Sequence, residues 1–349
     1  MLSLTFGNVE VQNCLRNVVT LFHYIEKEKA WRRGNGRPEG FEGLAARKPI
    51  GESYRERSWV VVLMLIGDVV AVGAEEPLAE HMMVADFFHG VDGLGGIHHS
   101  HPHMSPEETW KSLFKPTPEP LSPEEAADLQ KVKEAHSLFT PSLKPAHEEM
   151  LKLLRDNEPD TITIVAIGPL TNLAIAAATD PEAFLRVKEV VVMGGAVNWP
   201  GNMTPGAEFN TYADSIAAGR VYALTSPNPK TTLPPVMGKK ALPPYPEKLS
   251  RQLTVKLFPL DITEQHLLPR TLYSKYIEAD ALKESPLTEW ASLFLLSTFR
   301  KIASLDSHLD ADTIGLHLHD PLTVWYAMAA GDEGWKFVTE DLRVSFLAP

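Results

Sequence analysis

Hydrophobic positions along the chain fall into two rhythms. Apolar, largely β-branched runs occupy Val69–Val72, Thr161–Ile167, Val190–Met193 and Thr254–Leu260, and each reads as a strand. Helical spacing appears between them. Val11, Leu15, Val18, Leu21, Phe22 and Ile25 share one helical face. Ser122–Ala135, Pro145–Asp156, Leu170–Ala178, Ala217–Leu224, Trp290–Leu305 and Thr323–Met328 read as further helices. Ser122, Pro123 and Glu125 suit the N-cap, N1 and N3 positions of a capping box. Leu2–Phe6 reads as the tail of a strand ending at Gly7-Asn8, and Arg32–Pro49 and the proline-rich stretch 227–246 read as loops. Another apolar run, Trp59–Ile66, precedes Val69 without an evident place, so about 48–68 reads as an insertion.

The richest stretch begins at Val190-Val-Val-Met-Gly-Gly-Ala-Val197. Three valines and a methionine running into Gly-Gly describe a buried parallel strand reaching the open edge of an α/β sheet. Ligands of such sheets bind beyond the carboxyl ends of the strands, and Asn202, Glu208, Asn210 and Asp214 follow. Glu208 and Asn210 are two residues apart, so an extended segment would point both to one side. A carboxylate beside an amide oxygen suits a cis-diol. A polar loop tied to its own backbone is the competing reading.

Other candidates are equally two-sided. Thr161–Ile167 breaks at Gly168-Pro169 into a helix, which either offers N-terminal amides to a ligand or makes a structural turn. Asp320 before Pro321 suits a helix N-cap; otherwise it is a functional carboxylate with His319 beside it as an acid. Phe87–Gly96 is a glycine-punctuated loop presenting His89 and Asp92. Asp261 reads as an acidic N-cap after its strand. His98–His103 holds four histidines in six residues. That invites zinc, but no cysteine lies near and Pro102 disrupts helical spacing, so a loop at a pocket mouth is preferred.

Composition narrows the partners. The 349 residues carry a formal net charge of -12, which argues against nucleic acid and anionic membrane. The single cysteine, Cys14, makes no internal disulfide, so a cytoplasmic compartment is the default. No signal peptide is visible, and the longest apolar run falls short of the about 20 residues of a membrane helix. A soluble protein is expected.

Taken in order, several segments resemble the inosine–uridine-preferring nucleoside hydrolase family. They are Phe6-Gly-Asn8, Phe88-His-Gly-Val-Asp-Gly-Leu-Gly95, Ala166-Ile-Gly-Pro-Leu-Thr-Asn172, Met193-Gly-Gly-Ala196, Glu208-Phe-Asn210 with Tyr212-Ala-Asp214, Leu260-Asp-Ile-Thr263, and His319-Asp-Pro321. The resemblance implies one domain over 1–349, with an open, mostly parallel α/β sheet and helices on both faces. It implies hydrolysis of the N-glycosidic bond of ribonucleosides, a bound calcium ion and a homo-oligomer. By the same resemblance Asp320 and the backbone carbonyl of Ile167 would ligate calcium. Asn8, Asn202, Glu208 and Asn210 would hold the ribose hydroxyls, and Met193 would pack in the pocket. His319 would protonate the leaving base, with His89 near that base.

The chain also departs from the family pattern. The family opens with a strand and a loop of the form Asp-x-Asp-Pro-x-x-Asp-Asp, which carries most calcium ligands and the water-activating base. No aspartate precedes Asp68 here, so the first strand and that loop are expected to be missing. Residues 48–68 interrupt the path into Val69, and Glu340–Pro349 stops where the family continues with another strand. These irregularities fit an imperfectly assembled or alternatively spliced chain, with weak calcium binding and impaired turnover. A non-catalytic nucleoside or ribose binder and a histidine-tract metal protein are the alternatives. A dinucleotide enzyme is disfavoured, because no Gly-x-Gly-x-x-Gly follows the first strand.

Overall fold

The structure is a computed structural model that describes residues 1–39, 68–117, 120–234, 241–277, 282–305, 314–329 and 334–345. Strands β1 (Leu2–Leu4), β2 (Asp68–Val72) and β3 (Phe139–Pro141) form a parallel sheet in the order β1-β2-β3. Strands β4 (Thr163–Ala166), β5 (Glu189–Met193) and β6 (Val255–Phe258) form a second parallel sheet, β4-β5-β6. The short strands β7 (Leu267–Pro269) and β8 (Gly315–His317) pair antiparallel. The expected α/β architecture with mostly parallel strands is borne out.

β5 is buried along its whole length, which is why its apolar residues run without interruption. Its alternate side chains enter different cores. Val190 and Val192 pack in a cluster with Leu173, Ala174, Ala177, Ala217 and Val221, from helices Thr171–Thr179 and Ser215–Ala223. Val191 joins Phe258 and Tyr326, the latter from helix His319–Ala329. Helices therefore cover both faces of this sheet. The first sheet is covered by helix Val11–Gly34, whose Leu15, Val19, Phe22 and Ile25 meet Val70 and Phe139.

Asn172 fastens the two sheets to one another. It is 2% exposed. Its Oδ1 accepts from the Ala74 N–H at 2.8 Å, and its Nδ2 donates to the Leu4 carbonyl at 2.8 Å and to Ser3 Oγ at 3.0 Å. The start of one helix is thus bonded to β1 and to the chain leaving β2. Gly73 leaves room for it, since a Cβ there would lie 2.2 Å from Asn172 Oδ1. Asn172→Ala orphans the Ala74 N–H and leaves the Leu4 carbonyl with the Gly73 N–H alone, and is expected to cost about 1–3 kcal/mol in urea unfolding. A loss below about 0.5 kcal/mol would show that water replaces the amide.

Local predictions met the structure in detail at one place. The Glu125 N–H donates to Ser122 Oγ and the Ser122 N–H to Glu125 Oε2, with Pro123 opening helix Pro123–Ala135. Elsewhere the boundary moved. Helix Val11–Gly34 continues past the loop start expected at Arg32, because Arg32 pairs with Glu28 one turn back at 2.7 Å. The run 59–66 lies outside the described residues, as does all of the expected 48–68 insertion before Asp68. Of the proline-rich stretch, the described residues hold one helical turn, Pro229–Thr231, in otherwise irregular chain.

Candidate active site

The site is built where β5 ends. Gly194 and Gly195 carry the chain off Met193, and Gly195 has φ +81°, a backbone region that favours glycine. Its N–H donates to Glu208 Oε2 at 2.8 Å, and its carbonyl accepts from the Leu260 N–H at 2.9 Å. The loops leaving β5 and β6 are therefore locked together.

Glu208 is 2% exposed and is the N-cap of helix Phe209–Ala213. Oε1 accepts from the Asn210 N–H at 2.8 Å, and Oε2 also accepts from the Thr211 N–H at 3.0 Å. The segment is not extended, which corrects the expected same-side arrangement of Glu208 and Asn210. The cause is the carboxylate itself, which captures two N–H groups of the following turn and so starts a helix. Asn210 still reaches the strand end, its Nδ2 donating to the Met193 carbonyl at 3.3 Å with Met193 Sδ also at 3.3 Å. Asn202 Oδ1 accepts from the Phe209 N–H at 2.9 Å. Among the described residues, Asn210 Oδ1 and Asn202 Nδ2 meet no partner and remain for a ligand.

His319 and Asp320 come from the other side, on the first turn of helix His319–Ala329 against β4 and β5. His319 Nδ1 lies 2.8 Å from Thr263 Oγ1, and the ring stacks on His317 with centroids 5.6 Å apart. Burial lowers the His319 pKa, the His317 charge adds to this, and Glu264 opposes it. Asp320 lies within the helix rather than capping it, because the helix begins at His319, two residues before Pro321. Neither Asp320 oxygen accepts a hydrogen bond among the described residues. Burial first, and then the Glu208 charge, push its carboxyl up to about 7. Glu208 and Asn210 are bonded to the end of β5, and His319 to Thr263 just past β6, with Asp320 next to it. These residues and Met193 therefore stand at the carboxyl ends of this sheet.

The remaining predicted residues are placed less centrally. Asn8 is exposed, its carbonyl accepting from the Ala85 N–H at 2.8 Å. His89 ends the short helix Asp86–His89, half-buried, and burial lowers its pKa. Ile167, just past β4, is 46% exposed. No hydrogen bond joins Asn8, His89 or Ile167 to the Glu208–Asp320 group among the described residues.

Three acidic residues turned inward instead of toward a ligand. Asp214 is fully buried, capping helix Ser215–Ala223 through the Ala217 N–H at 2.9 Å and accepting from Thr171 Oγ1 at 2.6 Å. Burial raises its carboxyl to about 6. Asp92 accepts from the N–H groups of Leu94, Gly96 and His98 and folds its own loop. Asp261 accepts from the Val197 and Asn198 N–H groups at 2.9 and 2.6 Å, while Pro259 takes the cap position. The histidine tract is divided: His98 is buried between Ser105 Oγ and Asn17 Oδ1, whereas His99 and His103 are exposed.

No three His, Cys, Asp or Glu side chains converge as metal ligands among the described residues. Calcium takes roughly six to eight oxygens and binds more tightly with more carboxylates. Asp320 has free oxygens and Ile167 a carbonyl, but the Glu208 carboxylate is held by three N–H groups. The described donors do not fit calcium.

The pattern of the family described as inosine-uridine preferring nucleoside hydrolase matches residues 1–346. The chain belongs to this family. It is 32% identical over 227 residues to the uncharacterized protein C1683.06c of Schizosaccharomyces pombe, covering 65% of this chain and 53% of that protein. It is 35% identical over 169 residues to the pyrimidine-specific ribonucleoside hydrolase RihA of Citrobacter koseri, covering 48% of this chain and 42% of that one. The chain thus spans about half the length of the curated relatives it matches. Among solved structures, the purine-preferring ribonucleoside hydrolase from Gardnerella vaginalis superposes with TM-score 0.53 at 18% identity, covering 94% of this chain and 71% of that one. The plant nucleoside hydrolase PpNRh1 gives 0.51 at 19% identity, with 95% and 71% coverage. These two likenesses are to the fold.

In this nucleoside hydrolase family chain, Thr263 and Asn172 were not singled out by sequence reasoning. Both lie in segments that carry the family resemblance. The available signal was a polar residue in a short helix directly after a strand.

Proposed function

We propose that this chain holds a ribonucleoside by its sugar at the carboxyl ends of β4, β5 and β6 and cleaves its N-glycosidic bond. The grouping of Met193, Glu208 and Asn210 with His319 and Asp320 carries this reading. In it, Asn210 Oδ1 and the remaining lone pairs of Glu208 accept from the ribose hydroxyls, Asn202 Nδ2 donates to a hydroxyl oxygen, and Asn8 adds to that grip. Cleavage develops oxocarbenium-like positive charge on the ribose, which Glu208 and ionised Asp320 stabilise from fixed positions. His319 passes a proton to the departing base, and His89 lies toward that base. Calcium has no assigned step among these groups, because their donors fall short of its coordination. No described residue stands as a separate base for the attacking water, so turnover by these 349 residues is expected to be slow.

That shortage of carboxylates favours one second reading, a nucleoside or ribose binder without turnover. Ribose release from inosine and uridine, alongside thermal unfolding with each nucleoside, decides between them. Release above an Asp320→Ala control supports the hydrolase. A raised melting temperature without release supports the binder, since a ligand of the folded state alone raises apparent stability. Neither effect would overturn both. We place the protein in the cytoplasm on its single cysteine, with a homo-oligomer as the family-level assembly. No helix among the described residues is long and apolar enough to cross a membrane.

A further inference from the structure

We propose that Thr263 is a positioning residue that holds the His319 ring as its Nε2–H tautomer. Thr263 closes the short helix Leu260–Thr263 after β6 and is 0% exposed. Its hydroxyl lies 2.8 Å from His319 Nδ1 and meets no other side-chain or backbone acceptor among the described residues. A ring N–H and a hydroxyl can share such a bond in either direction. Burial decides which one holds here.

If Nδ1 carried the hydrogen and donated, the Thr263 O–H would point into a site closed to water with nothing to receive it. With the hydroxyl as donor, both groups are satisfied. The hydrogen bond at one ring nitrogen sets the protonation of the other, so the neutral ring carries its hydrogen on Nε2. Nε2 meets no partner among the described residues and is the nitrogen left to face a ligand. The neighbouring ring behaves oppositely. His317 Nδ1 lies 3.1 Å from the Glu264 carbonyl, an oxygen that only accepts, so His317 carries its hydrogen on Nδ1. Two stacked imidazoles therefore present different nitrogens.

The His319 backbone is fixed as well, since Thr323 Oγ1 donates to its carbonyl at 3.3 Å and the preceding Leu318 N–H bonds to the His266 carbonyl at 2.8 Å. Rotation of the side chain is what Thr263 restrains. On the hydrolase reading, the ring acts as leaving-group acid only after it binds a second proton at Nδ1, with the Thr263 hydroxyl turning to accept from it. The Nε2 proton then passes to the base and leaves a neutral ring. The direction of the hydrogen bond in the neutral ring rests on the burial of Thr263 and is independent of that reading.

Long-range proton–nitrogen spectra of the histidine-labelled 349-residue chain, at alkaline pH where the rings are neutral, test the tautomer directly. His317→Gln and His319→Gln assign the two rings. The wild-type chain is expected to show His319 with a bare Nδ1 and a protonated Nε2, and His317 the reverse. Thr263→Val keeps the shape without the hydroxyl and is expected to give His319 a mixture of tautomers, with Thr263→Ser restoring one. A wild-type His319 protonated on Nδ1, or a Val variant with an unchanged ring, overturns the proposal. The wild-type spectrum decides even if the Val variant does not fold. Where the wild-type chain releases ribose, Val is expected to lower kcat on the order of tenfold at unchanged KM, with Ser restoring it. A raised KM with unchanged kcat speaks against positioning. Absence of ribose release from the wild-type chain would overturn the hydrolase reading, and the ring spectrum would still decide Thr263.

Discussion

Glu208→Ala is expected to abolish nucleoside binding and to cost about 3–5 kcal/mol of folding stability. The buried carboxylate is the shared acceptor for the N–H groups of Gly195, Asn210 and Thr211. Removing it orphans all of them in a site with little access to water. Each buried unsatisfied group costs about 1–3 kcal/mol, and partial relaxation brings the sum below simple addition. Glu208→Gln is the sharper probe. Its single side-chain oxygen can serve one side of the original pair, while its NH2 faces an N–H donor on the other. Gln is therefore expected to recover less than half of the loss. Urea unfolding read by fluorescence measures the stability, and nucleoside-induced melting shifts measure the binding. Should the alanine variant unfold within about 1 kcal/mol of the parent, the carboxylate's grip on the loop is not what holds the site.

The parts of this molecule that were legible beforehand are those decided by neighbours in the chain. β5 announces itself because it is buried along its length and, after Glu189, Val190–Met193 run without a polar position. The Ser122–Glu125 box spans three residues and needs no tertiary context. Acidic residues were harder to read, because a carboxylate's task is set by which donors approach it in space. Glu208 is claimed by Gly195, 13 residues away, and Asp214 by Leu78, 136 away. Asp261 is taken by Val197 and Asn198 across more than 60 residues. In sequence none of these distant donors is visible, and even Asp261, which reads locally as a helix cap, does not take that place. Asp320 alone among the acidic residues singled out for the site keeps both oxygens unclaimed within the described residues. Thr263 and His319, 56 residues apart, illustrate the same limit from the neutral side.

That unclaimed carboxylate makes the second large effect. Asp320→Asn is expected to stabilise the protein by about 2–4 kcal/mol near pH 8 and to change nothing near pH 3. Its carboxyl stands at about 7 in the folded chain against an ordinary value of 3.8, raised first by burial and then by Glu208. Below the ordinary value both folded and unfolded chains hold the proton, and the residue contributes no pH dependence. Between there and about 7 the unfolded chain has released the proton while the folded chain retains it. The unfolded state then binds fewer protons, so stability falls as pH rises. Above about 7 the folded state carries a poorly solvated charge and the penalty is complete. Asparagine stays neutral throughout and escapes it. Asp214, raised to about 6, adds a slope of the same sign to both chains and cancels in the comparison. Urea midpoints from about pH 3 to pH 8 should therefore diverge between parent and variant, and parallel curves would remove burial as the cause. Because the Glu208 charge is the second contributor, the gain from asparagine should shrink in a Glu208→Gln background, beyond additivity of the single changes. A carboxylate that destabilises its own fold at neutral pH, with no internal partner to relieve it, is best explained by what it meets when a ligand arrives. The same asparagine should accordingly weaken ribose release or nucleoside binding while it strengthens the fold.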